Sequence, residues 1–193
     1  MPPGEFELIG RHFTGRGAVR DDVRIAVGDD AAVVTPHTGS ELVLALDTIV
    51  AGVHFPADTS GRFIGHRALA VNLSDLATMG AEPAWALLGL TVPAADESWL
   101  GEFAAGFDQL ALRFGVALIG GDTTRGPLAA TVTVGGWVPS GEALTRSGAK
   151  PGRGRCAAAA TGISAATARG RRRWPGVCPA GSRDRRPRPR VFH

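Results

Sequence analysis

The hydrophobic and polar positions of residues 1–150 switch repeatedly between two periods. Val23-Arg24-Ile25-Ala26-Val27 alternates with period 2 and stops at Gly28-Asp29-Asp30; Ala31-Ala32-Val33-Val34 then resumes an apolar run. Residues 41–50 (ELVLALDTIV) predict a second strand, with Asp47 as the one acid inside it. Residues 62–79 carry Leu69, Leu73 and Leu76 on one face and predict a helix. Residues 85–92 read as a strand stopped by Pro93. Over 96–114, Trp99, Phe103, Phe107, Leu110 and Phe114 recur in steps of three and four, which predicts an amphipathic helix closed by Gly115. Val116-Ala117-Leu118-Ile119 is a short buried strand running into Gly120-Gly121-Asp122-Thr123-Thr124, and residues 129–138 alternate again up to Pro139. This mixed order, without a strict βαβ repeat, predicts an α/β or α+β domain with helices packed on a mixed sheet.

Composition adds a boundary. The 193 residues have a formal net charge of +3, but 1–150 hold 10 basic and 17 acidic residues while 151–193 hold 11 arginines against Asp184 alone. The halves carry −7 and +10, so the sequence divides into a body and a basic tail that holds both cysteines, Cys156 and Cys178. No run of about 18 apolar residues predicts a membrane helix, and MPPGEFELIG has neither the basic nor the apolar region of a secretion signal; the expected location is the cytoplasm.

Four aspartates mark the candidate chemistry. Asp47 interrupts an apolar strand. Asp75 lies in a stretch from Ala68 to Met79 that is otherwise apolar or small, with Asn72 one turn before it. Asp30 and Asp122 follow hydrophobic strands where a glycine permits a sharp turn. A carboxylate in apolar surroundings must be paired, protonated or bound to a cation, and the body has few cations to pair with. Several carboxylates converging at strand ends would make a hard-oxygen site suited to Mg²⁺. Taken singly, each of these residues also fits a turn or a helix cap. His54, alone in Gly52-Val53-His54-Phe55-Pro56, equally fits a satisfied structural histidine. There is no GxxxxGK[ST], no GxGxxG after a strand and no GxSxG, and Lys150 is the only lysine. A phosphate-handling site here would rest on aspartate-held Mg²⁺, backbone N–H groups and an arginine.

Five blocks in order resemble the thiamine-monophosphate kinases, within the superfamily that includes aminoimidazole ribonucleotide synthetase. They are Gly28-Asp29-Asp30-Ala31-Ala32, residues 46–55 (LDTIVAGVHF), residues 70–81 (AVNLSDLATMGA), Ile119-Gly120-Gly121-Asp122-Thr123-Thr124, and residues 144–152 (LTRSGAKPG). The resemblance covers about residues 5–152 and corresponds to the N-terminal half of that family. It implies the N-terminal domain of the aminoimidazole ribonucleotide synthetase-like fold, with its sheet pairing across a homodimer. It also implies ATP-dependent conversion of thiamine monophosphate to thiamine diphosphate by in-line transfer, with Mg²⁺ as cofactor and ATP as co-substrate. Implied Mg²⁺ ligands are Asp30, Asp47, Asp75 and Asp122; implied ATP contacts are Gly121, Asp122 and Arg146; His54 would contact the thiamine phosphate. No protein nucleophile or general base is expected. One departure is that Ala45 and Leu46 stand where the family often has hydroxyl residues. The runner-up readings are another ATP-using relative, of hydrogenase-maturation or selenophosphate type, and an inactive dimerisation or nucleic-acid-binding fragment.

The resemblance stops after Pro151-Gly152, giving an N-terminal ATP/Mg-binding kinase domain at 1–152 and an Arg/Ala/Pro-rich tail at 153–193. The abrupt change in composition at a point where the family continues reads best as an out-of-frame translation of a GC-rich gene, with the C-terminal domain missing. A disordered basic arm for nucleic acid or acidic surfaces, and a two-cysteine redox or metal element, are the competing expectations.

Overall fold

A computed structural model of the chain describes residues 5–148. The expectations for the tail, and those for Pro151 and Gly152, lie outside the described residues. The elements run α1 (Glu5–His12), β1 (Val23–Ile25), β2 (Val33–Val34), β3 (Ser40–Val50), α2 (Gly61–Thr78), β4 (Glu82–Val92), α3 (Glu97–Phe114), β5 (Ala117–Arg125) and β6 (Ala129–Pro139), followed by a 3₁₀ turn at Arg146–Gly148. Strands β3, β6, β4 and β5 form one sheet in that spatial order; only β4 and β5 run parallel. The short β1–β2 pair is a separate antiparallel ribbon. The domain is therefore mixed α/β, with helices on one face of a mixed sheet.

Helix α2 buries Leu69, Leu73 and Leu76 completely, as their spacing predicts. Helix α3 starts where the Asp96 carboxylate accepts hydrogen bonds from the Ser98 and Trp99 N–H groups (3.0 and 3.1 Å), and it ends at Gly115 in the left-handed region, φ +67°. The two helices approach closely through Gly61, Gly65 and Gly106; a Cβ at Gly106 would overlap the Arg62 carbonyl oxygen, and one at Gly65 that of Phe103.

Strand alternation gives the sheet two different faces. Val43, Ala45 and Ile49 of β3 join Val132, Val134, Leu88 and Leu90 in the core beneath the helices. On the opposite face, the β1–β2 ribbon covers only one end, where Val23, Ala26, Ala32, Val34 and Trp137 pack on Trp85, Ala117 and Ile119. The rest of that face is open. Leu42, Leu44 and Leu46 are 45%, 58% and 59% exposed there, and Leu87 is also exposed. Among the described residues no helix is long and apolar enough to cross a membrane.

Two elements differ from the sequence pattern. GGDTT is not a turn after a short strand: β5 continues through it to Arg125. Gly121 is required there because a Cβ would overlap the Leu88 carbonyl oxygen, and its φ of +154° is one that side chains avoid. The other difference is α1, whose eight residues offer too few turns for a periodic signal.

Candidate functional site

Asp47 sits on β3 with its side chain on the helix side of the sheet, in register with Val132 of β6, and is half-buried. Asp75 lies one turn before the end of α2. Its neighbours in sequence are apolar because they face the core, whereas Asp75 itself lies on the exposed side of the helix. The expectation of apolar surroundings therefore fails for Asp75, as it does for Asp30 and Asp122, which are also exposed.

Asp47 and Asp75 nevertheless act on one another. Lost hydration first, and then the Asp47 charge, hold the Asp75 carboxyl above the usual carboxylate range; the Arg146 guanidinium pulls the other way. Arg146 reaches this place because the chain leaving β6 is tied to the end of α2: the Leu144 N–H donates to the Met79 carbonyl at 3.0 Å, and Leu144 packs against Gly80. Two carboxylates that repel one another, offset by one arginine, are a charge pattern that a bound cation would relieve. Asn72, completely buried one turn earlier on α2, donates to the Ala68 carbonyl at 2.9 Å while its Oδ1 has no protein partner.

Asp122 stands at the other edge of the sheet. It pairs in register with Gly89 of β4, which in turn pairs with Thr131 of β6 and so leads to Thr48 of β3. The Thr48 and Thr131 hydroxyls are hydrogen bonded at 2.8 Å. Three strand spacings, roughly 14 Å, separate the β3 and β5 edges. Val27, three residues before Asp30, lines the recess that Gly121, Asp122 and Thr123 also line. Asp47 and Asp122 stand on the two opposite edge strands, β3 and β5. Among the described residues no three His, Cys, Asp or Glu side chains are grouped closely enough to hold a metal ion.

His54 lies in the tight turn after β3. The Val50 N–H donates to its Nδ1 at 3.0 Å, which leaves the neutral ring with its proton on Nε2. Phe55, buried, anchors the turn, and Gly52 supplies its positive φ of +76°.

Sequence reasoning missed a buried hub at Asp22. Its carboxylate accepts from Arg20 Nε and Nη2 (2.8 and 2.9 Å) and from Trp137 Nε1 (3.0 Å), and it is 3.1 Å from His37 Nε2. These partners depress its carboxyl below the usual range, the Arg20 hydrogen bonds most strongly and against the opposing effect of burial. Trp137 is 115 residues away, and no local pattern announces such a contact.

Residues 28–138 match the AIR synthase related protein, N-terminal domain family. The chain belongs to that family. Among the family's characterised relatives, the thiamine-monophosphate kinase of Escherichia coli K12 is 50% identical over 152 residues, which is 79% of this chain and 47% of that protein. The crystal structure of thiamine-monophosphate kinase from Stenotrophomonas maltophilia K279a is 53% identical, with a TM-score of 0.63 over 66% of this chain and 40% of that one. AaThiL complexed with AMPPCP and TMP is 25% identical, with a TM-score of 0.56 over 60% of this chain and 38% of that one. The chain therefore spans about half the length of the curated relatives it matches.

Proposed function

We propose that this AIR synthase related domain, residues 1–152, serves ATP-dependent phosphorylation of thiamine monophosphate to thiamine diphosphate in the cytoplasm. The observation that carries the reading is the Asp47–Asp75 pair beside Arg146, on a chain 50% identical to a thiamine-monophosphate kinase. A structural likeness to AaThiL complexed with AMPPCP and TMP supports the choice of nucleotide and acceptor.

The acceptor is a phosphate oxygen that is already ionised near pH 7, so no residue needs to remove a proton. The protein's work is positioning and charge neutralisation. Asp47, Asp75, Asp30 and Asp122 would hold Mg²⁺, whose hard cationic character suits carboxylate oxygens and whose charge offsets that of the phosphates. Arg146 serves the ATP phosphates. Gly121 lets β5 continue against Leu88 and so sets the backbone that carries Asp122, where the nucleotide would be held. His54, its Nδ1 occupied, offers Nε2–H to the phosphate of the acceptor.

A second copy seated on the open leucine face would cover Leu42, Leu44 and Leu46, and we read the active form as a homodimer on that ground.

The test is a chimera in which residues 1–152 replace the matching half of the Escherichia coli relative, assayed for thiamine diphosphate with Mg²⁺ and ATP. Turnover of thiamine monophosphate is expected, and loss of that turnover in Asp75→Asn or Asp122→Asn proteins that remain folded. A folded chimera without that activity, or near-normal rates in either variant, overturns the assignment.

A further inference from the structure

Helices α2 and α3 cross with backbone against backbone: a Cβ on Gly65 would meet the Phe103 carbonyl oxygen, and one on Gly106 the Arg62 carbonyl oxygen. Beside this crossing is a recess of about 210 Å³ lined by Arg62, Phe63, His66, Gly106 and Gln109. At Gly106 no side chain fills it, and its walls stand on two helices that the glycines hold in close contact. Drug-sized ligands occupy roughly 300–1,000 Å³, so what fits here is smaller.

The polar side chains around the recess are turned into donors by one another. Arg62 Nη2 donates to Gln109 Oε1 at 3.0 Å and so joins the two helices. That bond engages the acceptor of the Gln109 amide and leaves its NH₂ group to donate. Arg11, Arg16 and Arg20 each face a carboxylate, whereas Arg62 has no acidic partner among the described residues. His66, one turn further along α2, lines the same recess and carries at least one ring N–H in either charge state. No carboxylate lines the recess; Glu102 of α3 stands at the Gly61 end of the helix crossing. The remaining wall is the ring of Phe63, which is 73% exposed.

Two demands meet in this small volume. A guanidinium offers a pair of parallel N–H groups that match both oxygens of a carboxylate, and an exposed ring is covered best by another flat ring. Inorganic phosphate would satisfy the donors and leave Phe63 in water; an uncharged ring would cover Phe63 and leave the guanidinium without an anion. We propose that the recess between α2 and α3 is a binding site for a small planar aromatic carboxylate. Its carboxylate would lie on Arg62, His66 and the Gln109 amide, and its ring against Phe63. The site is distinct from the aspartates, since about 20 Å of helix axis separates Arg62 from Asp75, and it stands whether or not those aspartates hold a cation.

The experiment is an NMR titration of the full 193-residue chain with benzoate, followed at the backbone amides of Phe63, His66, Gly106 and Gln109. Benzamide, cyclohexanecarboxylate and inorganic phosphate serve as the uncharged, the non-planar and the ring-free comparisons. Benzoate is expected to shift these amides saturably in the millimolar range, and each comparison compound to bind about fivefold or more weakly. Arg62→Gln should weaken benzoate by about tenfold, the loss of hydrogen bonds to a charged group. Phe63→Leu, which keeps an apolar side chain but not a flat one, should bring benzoate down to the level of cyclohexanecarboxylate. Both side chains are exposed, and an unchanged melting curve shows that each variant keeps the fold. The arginines of residues 151–193 attract any anion, but they give neither shifts confined to these amides nor a dependence on Phe63. Absence of shifts at these amides, equal binding of phosphate or benzamide, or unchanged benzoate affinity in folded Arg62→Gln or Phe63→Leu overturns the proposal.

Discussion

The carboxyl of Asp75 holds its proton more readily in the folded chain than in an unfolded one, and Asp22 does the reverse. For Asp75 the raised value means that the fold loses stability as pH climbs from the unfolded carboxylate pKa, about 3.9, through the folded one. Asp75→Asn should therefore melt slightly above the parent at pH 7, by less than about 0.5 kcal/mol for so exposed a group, and equally with it near pH 3. Mg²⁺ should raise the parent's melting temperature, a chelator should undo that, and the Asn variant should respond less to both; calorimetry with and without the ion measures both effects. For Asp22 the sign is opposite. Its contribution is present above the unfolded carboxylate pKa and disappears as pH falls through the depressed one. Asp22→Asn is expected to cost about 2–3 kcal/mol at pH 7, in the range for hydrogen bonds to a charged group, with the gap to the parent closing in acid. Urea unfolding at several pH values reads that convergence, and a pH-independent gap would remove the ionic account.

At the level of elements, legibility followed locality. Helices α2 and α3 could be placed from sequence because Leu69, Leu73 and Leu76, and the stripe ending at Phe114 and Gly115, repeat within a few residues. Strand β5 was cut short because glycine pairs ordinarily end strands, and only the Leu88 carbonyl across the sheet shows why Gly121 continues one. The aspartates were legible as residues, but not the separation of Asp47 and Asp122, which the order β3-β6-β4-β5 puts on opposite edge strands. The Asp22 hub was not legible at all, because its members meet only through the fold. The helix crossing carries a prediction of the same long-range kind. Gly106→Ala places a methyl against the Arg62 carbonyl, with backbone on both sides and no flexible side chain to yield. A loss of about 3 kcal/mol or more is expected, the upper part of the range for overpacking, and urea unfolding tests it.

For the molecule as a whole, the helix face of the sheet is filled and the other face is half covered. Leu42, Leu44 and Leu46 are spaced two residues apart on the edge strand and look outward together. If a second copy covers them, Leu44→Asp should turn a dimer into a monomer in sedimentation while leaving the melting curve of the isolated domain intact; an unchanged sedimentation coefficient would place the contact elsewhere. The same strand presents Val43, Ala45 and Asp47 to the helices. Because the two sets interleave residue by residue, β3 can exchange one leucine for another freely but cannot absorb a single-codon insertion or deletion upstream of Asp47. Such a change would send the aspartate to the open face and the leucines under α2 in one step. Among descendants of this gene, length between Ser40 and Asp47 should be inherited more strictly than the identity of anything within it.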